Sequence, residues 1–323
     1  MKAPGFWYKK SGSLAASLLA PIGALYDAAG RLSRAHQKPK KCDGQVICVG
    51  NLVAGGAGKT PVSLALAEML GDREIAFLTR GYGGREHGPL RVDPNTHSSS
   101  DVGDEALLLA RAALTWISRN RPDGAQAASK SGANTIIMDD GFQNPSLTKN
   151  VSLIVIDGAT GFGNGLVMPA GPLRETVARG LARADAVVIV GDDVTDAAAE
   201  AGGRLPVFHA RLVPHPDAKA LGGRRVVAFA GIGRPQKFFN TLREIGCEIV
   251  GTHEFVDHQP YKPEQVMAIC EEAAALDALP VTTEKDLVRL PSEARAMVTS
   301  VAVSLQWAQT EAVKTFLDAK LSR

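Results

Sequence analysis

The sequence predicts an α/β protein: a doubly wound, mostly parallel sheet followed by a second, smaller α/β domain. Three observations predict it. Near-continuous Val/Ile runs alternate with helical patterns, the signature of parallel strands covered on both faces by helices. One of these runs leads straight into a glycine-rich turn that opens a helix. A further set of strand and helix patterns begins after Leu221, Gly222 and Gly223. Strands are expected at 46–49, 75–79, 135–138, 151–156, 186–190 and 207–212, with helices over 61–70 and 105–118. The second set is a strand at 226–231, a helix at 236–245, a strand at 248–251, a helix at 263–276, and strands near 280–282 and 301–305. Pro214, Pro216 and the glycine pair mark the connection, so the expected division is 42–217 and 218–323. The segment 86–100 is polar and punctuated by Gly and Pro, and reads as a long loop at the mouth of the sheet.

Residues 1–41 form a segment of their own. Lys9 and Lys10 precede a weakly apolar run over 13–26, and Arg31, Arg34, Lys38, Lys40 and Lys41 follow it. A spanning helix needs about 20 apolar residues, and Pro21 with Gly23 interrupts a run already shorter than that. Two readings stay open: a helix lying in a membrane interface, its cationic flank on anionic headgroups, or a helix packed on the protein's own core. The expectation for residues 1–41 is the membrane-interface segment.

The 323 residues are 45% hydrophobic and 22% charged with a net charge of +2, ordinary for a folded chain and without the basic excess of a nucleic-acid binder. Cys42, Cys48, Cys247 and Cys270 form no C-x-x-C pair or metal-ligand spacing and read as small hydrophobes.

The most informative stretch follows the strand at 46–49. Gly55, Gly56, Ala57, Gly58, Lys59, Thr60 and Pro61 combine backbone amides free to wrap phosphate, a lysine that can reach the β- and γ-phosphates, a hydroxyl for Mg²⁺, and a proline suited to a first helical turn. The strict G-x-x-x-x-G-K-[ST] pattern fails at Val53, yet strand, loop and helix are in order. The expected fold is therefore P-loop NTPase-like, with ATP and Mg²⁺ bound. Asp139 and Asp140 follow the apolar run 135–138, where a nucleotide enzyme holds its Mg²⁺-coordinating carboxylate.

Three classes share such a loop. A GTPase needs N/T-K-x-D, and Thr283-Glu284-Lys285-Asp286 puts the lysine one position late. A membrane-partitioning ATPase carries a signature lysine where this chain has Ala54. A small-molecule or lipid kinase needs a base for its acceptor hydroxyl. Asp104 and Glu105 are candidates, although first-turn carboxylates also serve as helix caps. Asp257 and His258 put an acid beside an imidazole in a polar turn, which alone reads as solvated surface.

Together these blocks resemble the tetraacyldisaccharide 4′-kinases. The matching stretches are Gly50-Asn51 with Gly55 to Pro61, Thr79 to Gly83, Val102 to Glu105, Met138 to Gln143, Pro169 to Glu175, Phe255 to His258, and Thr283 to Asp286. The resemblance implies a peripheral enzyme on the cytoplasmic face of the inner membrane. It would transfer the γ-phosphate of ATP to the 4′-hydroxyl of a tetraacyldisaccharide 1-phosphate, with no nucleic acid and no obligate protein partner. It implies Asp104 as base with His258 as its partner across the domain cleft. Lys59 and Arg174 would act on phosphate charge. Thr60, Asp139, Asp140, Glu105 and Glu175 would stand around Mg²⁺. Asn51, Arg80, Tyr82 and Gln143 would face the lipid headgroup.

Overall fold

The computed structural model describes residues 3–9, 13–201, 203 and 205–322. Thirteen strands are defined there: β1 (Gln45–Gly50), β2 (Ile75–Thr79), β3 (Leu90–Arg91), β4 (Leu114–Ile117), β5 (Thr135–Asp139), β6 (Val151–Asp157), β7 (Ala186–Val190), β8 (Val207–Pro214), β9 (Arg225–Ala230), β10 (Glu248–Glu254), β11 (Leu279–Thr283), β12 (Thr299–Val301) and β13 (Val303–Trp307). Every residue of β5, β6 and β7 is buried. Strands with helices on both faces leave no room for alternating polar positions.

The larger sheet runs β13-β8-β7-β6-β1-β5-β2-β4-β3, parallel from β8 to β4, with β3 and β13 antiparallel at the edges. The chain leaves β1 to one side for β5, β2 and β4, and to the other for β6, β7 and β8. The crevice at the carboxyl end of β1 is therefore the switch point, where doubly wound sheets take their ligands. The smaller sheet, β10-β9-β11-β12, is parallel throughout.

Two expected elements are corrected. The helix anticipated over 105–118 stops at Ala110, and Leu114–Ile117 is instead β4 beside β2. Its continuous apolar run hid a short strand whose Thr and Ile favour the sheet. The strand anticipated near 301–305 is two strands split at Ala302. Val301 pairs with Thr283 in the smaller sheet, whereas Val303 pairs with Pro214 in the larger one. Residues 303–321, which the division at 217/218 assigned to the smaller unit, thus return to the larger sheet, where Val313, Leu317 and Leu321 join its core.

Helix α1 (Leu14–Ala35) continues through Pro21 for 22 residues. It meets the body through small residues: a side chain at Gly23 would collide with the Val167 carbonyl at 2.6 Å. Asp27 pairs with Arg179, and Arg34 lies 3.7 Å from Glu175. The opposite face leaves Leu14, Leu18, Ile22, Leu25 and Leu32 exposed. No helix among the described residues is long and apolar enough to cross a membrane. Lys10, part of the basic start, lies outside the described residues. Cys48, Cys247 and Cys270 are buried, Cys42 is half-buried, and all four are free.

Candidate active site

The phosphate loop leaves β1 at Gly50 and enters helix α2 (Lys59–Met69). Gly55 (φ 111°) and Gly58 (φ 89°) occupy the left-handed region, which the turn requires and side chains resist. The loop base is braced from outside: Ala54 N–H donates to the Pro172 carbonyl at 2.7 Å, and Arg174 N–H to that of Leu52 at 2.7 Å. The same bracing delivers the Arg174 side chain to the site. Amides of the first turn of α2, left without helical partners, supply an anion seat. Pro61 has no amide to contribute to it.

Lys59 is buried, with Nζ 3.5 Å from the Gly55 carbonyl and 3.7 Å from Asp140 Oδ1. Thr60 Oγ1 donates to Asp139 Oδ2 at 2.9 Å, and Ser63 Oγ to Asp139 Oδ1 at 3.1 Å. Burial, reinforced by the Glu105 charge, pushes the Asp139 carboxyl well up from its ordinary range. Such a carboxylate is short of positive charge. Asp140, held at φ 51°, turns its carboxylate to Arg174 at 3.0 and 3.4 Å. Burial alone would raise Asp140, but Lys59 and Arg174 hold it below the usual range.

A second charged cluster spans the two sheets. Asp104 opens the helix Asp104–Ala110 at the mouth of the larger sheet, whereas His258 sits in a loop of the smaller unit at φ 60°, a sparsely populated backbone state that marks functional loops. His258 Nδ1 lies 3.0 Å from Asp104 Oδ2. Asp104 Oδ1 accepts the Glu105 N–H at 2.9 Å. Lys285 Nζ approaches Asp104, Glu105 and Asp257 at 3.8, 3.7 and 3.6 Å, and Arg289 Nε approaches Asp104 at 3.8 Å. Burial works to raise the Asp104 carboxyl; the His258 hydrogen bond, Lys285 and Arg289 overcome it and hold the group low. The units are closed on one another here, with Val288 of the smaller one buried among Val102, Ala106, Leu107 and Ile117.

Tyr82 stands edge-on to the His258 ring at 5.6 Å between centroids and is exposed. Arg80 is also exposed, at the end of β2. Other residues sit elsewhere than the sequence suggested. Glu175 is fully buried and both its oxygens accept from Arg183 at 2.8 Å, so the carboxylate is committed to guanidinium rather than free for a metal. Asn51 is turned inward, its Nδ2 donating to the Gly55 carbonyl at 3.2 Å. Gln143 donates to the Asn51 carbonyl at 2.8 Å and accepts from Arg174 at 3.2 Å. Both brace the loop. Ser63 and Arg289 were not anticipated, and Lys285 stood in the matching stretch 283–286 without a role. Ser63, one helical turn after Thr60, could have been read from spacing alone; the other two depend on how the smaller unit docks.

The family model for "Tetraacyldisaccharide-1-P 4'-kinase" matches residues 15–322. A Rhodospirillum centenum protein named tetraacyldisaccharide 4′-kinase is 52% identical over 328 residues, covering 100% of this chain and 97% of its own. A Paramagnetospirillum magneticum protein of the same name is 53% identical over 311 residues, covering 95% of each. The crystal structure described as the "apo" form of LpxK from Aquifex aeolicus in complex with ATP superposes with a TM-score of 0.77 at 26% identity, over 95% of this chain and 100% of that one.

Proposed function

The chain belongs to the tetraacyldisaccharide-1-P 4′-kinase family, and from that premise we propose that it transfers the γ-phosphoryl group of ATP to the 4′-hydroxyl of a tetraacyldisaccharide 1-phosphate. The observation that carries this reading is the Asp104–His258 hydrogen bond, made across the two units beside a phosphate loop. A nucleotide switch needs the loop; only a kinase also needs a base for an alcohol.

The loop amides, Lys59 and Arg174 hold and neutralise the triphosphate of the substrate ATP. Asp104 takes the proton of the 4′-hydroxyl as its oxygen bonds to phosphorus and ADP leaves. His258 Nδ1–H holds the accepting carboxylate in place. Burial of Asp104 at a closed seam keeps water from competing for the phosphoryl group. The residues also fit Mg²⁺. Thr60 and Asp139 would hold it, with Asp140 and Glu105 close by. No cluster of three or more metal-ligating side chains exists among the described residues, and Mg²⁺ typically takes one or two carboxylates plus substrate phosphates and water. Bound there, it would offset phosphate charge.

The exposed apolar stripe of α1 beside Lys9, Arg31, Lys38, Lys40 and Lys41 supports peripheral attachment to an anionic membrane, on the cytoplasmic face where ATP is available. The test is ³¹P spectroscopy of the lipid recovered after incubation with ATP and Mg²⁺ in micelles. A second phosphate monoester on the 4′ position is expected. An unmodified lipid, with ATP hydrolysis stimulated by bare vesicles, would replace the kinase with a membrane ATPase.

A further inference from the structure

Beyond its charge on Asp104, Lys285 makes a further contact, and the sequence around it is built to hold it still. Asp286 is fully buried and accepts from the Gly231 amide at 2.9 Å, from Tyr261 Oη at 2.6 Å, and from Arg289. Thr283 caps the short helix Glu284–Leu287 through the Asp286 amide at 3.0 Å. With Thr283 and Asp286 pinned on either side, the Lys285 stem reaches toward the seam between the units, and its side chain is three-quarters buried. Nζ stops 3.3 Å from His258 Nε2.

That contact has one chemical solution. An ammonium group has three donors and no acceptor, so Nε2 must offer its lone pair. A neutral imidazole that accepts at one nitrogen donates at the other. Nδ1 therefore carries the hydrogen, and it is Nδ1 that faces Asp104 at 3.0 Å. Asp257, with an oxygen 3.8 Å from Nε2, is too far to take a hydrogen from it and lies 3.6 Å from Lys285 instead. Without the ammonium donor, only the Asp104 carboxylate favours hydrogen on Nδ1, and a ring that shifts its hydrogen to Nε2 loses its hold on Asp104. The bare Nδ1 would then confront the Asp104 carboxylate lone pair to lone pair.

We propose that Lys285 is a positioning residue that acts through His258, locking the imidazole as the Nδ1–H tautomer so that it holds the Asp104 carboxylate. This rests on the reading of Asp104 as the base. At metal sites, losing the contact that orients a histidine typically costs about 10- to 100-fold; a loss of the same order is expected here and falls on kcat, because no hydrogen bond or ion pair among the described residues joins Lys285 to Gly55–Thr60.

The experiment compares Lys285→Met, His258→Ala and the double variant in the full chain, measuring kcat and the KM for ATP. Lys285→Met is expected to lower kcat by about 10- to 100-fold with KM within about threefold, and to add nothing further in the His258→Ala background. A kcat for Lys285→Met within twofold of wild type, or a further tenfold loss in the double variant, overturns the proposal. A long-range ¹H–¹⁵N spectrum of histidine-labelled wild type, with His258 assigned by its loss in His258→Ala, should show hydrogen on Nδ1 and a bare Nε2. An Nε2 bearing hydrogen overturns it equally. This spectrum needs no turnover, so a chain inactive on the lipid would count against the kinase reading alone.

Discussion

Replacing Asp104 with asparagine removes the proton acceptor while preserving its shape. The native carboxylate accepts from His258 through one oxygen at 3.0 Å and from the Glu105 amide through the other at 2.9 Å. The asparagine oxygen can keep one of these contacts; its NH₂ then faces the second donor. One hydrogen bond is lost, along with the pairing to Lys285 and Arg289 at 3.8 Å. A lost or unsatisfied buried hydrogen bond costs about 1–3 kcal/mol, against about 5–15 kcal/mol for a typical domain, so the chain still folds. The chemical cost is larger. A positioned general base is worth about 10²- to 10⁴-fold, which at about 1.36 kcal/mol per tenfold is about 3–5 kcal/mol of barrier. No hydrogen bond or ion pair among the described residues joins Gly55–Thr60 to Asp104, whose partners are His258, Glu105, Lys285 and Arg289, so ATP affinity should hold. The assay is steady-state phosphoryl transfer to the micellar lipid alongside calorimetric titration with ATP. The expected result is a kcat down by about 10³-fold with the Kd for ATP within threefold. A kcat within tenfold of wild type, or a parallel collapse of ATP binding, refutes the assignment.

Four more outcomes follow from the same contacts. Glu175→Gln turns an amide NH₂ toward the part-exposed Arg183 guanidinium and should cost about 1–3 kcal/mol in urea unfolding, while the Mg²⁺ concentration for half-maximal rate stays put; a raised Mg²⁺ requirement with normal stability would return Glu175 to the metal. Asp139→Asn should raise that Mg²⁺ requirement at least tenfold, read from a Mg²⁺ titration of the rate. Leu18→Glu with Leu25→Glu removes two exposed side chains whose burial is worth about 1.5–3 kcal/mol each, so co-sedimentation with anionic vesicles should fall about 100-fold or more, whereas unchanged binding would leave the stripe unexplained. Because the Asp104 carboxyl is held below its ordinary value, its pairing contributes stability that is complete above about pH 4. That share is lost as pH falls through the lower folded value. The stability gap between wild type and Asp104→Asn should therefore narrow on acidification below pH 4, as measured by urea midpoints.

What could be read in the sequence was what lies close together along it. The strand at 46–49, the glycine turn and the helix after it form one continuous unit, so Lys59, Thr60 and the loop glycines were evident from spacing. Asp139 was evident because it ends an apolar strand. Trp116 and Ile117 were misassigned because an apolar run does not say where a helix gives way to a strand. Val301 and Val303 were joined because nothing local reveals that the chain changes sheets at Ala302. Glu175 shows the same limit in chemistry: a carboxylate three residues after Gly171-Pro172 looks available until Arg183 and Arg34 arrive from elsewhere. Asp104 and His258 are 154 residues apart, and only a match of whole ordered blocks, or the fold itself, brings them together. Lys285 adds a third member to that pair.

The central claim is that a phosphate loop and a base meet at this seam to phosphorylate a lipid sugar. It is tested most directly by following the γ-label of ATP into tetraacyldisaccharide 1-phosphate in detergent micelles, with wild type, Lys59→Ala and Asp104→Asn run side by side. The account predicts label in the lipid with wild type, near-background transfer with Lys59→Ala, and transfer slowed about 10³-fold with Asp104→Asn. Wild-type protein that binds and hydrolyses ATP but leaves the lipid unlabelled would contradict it.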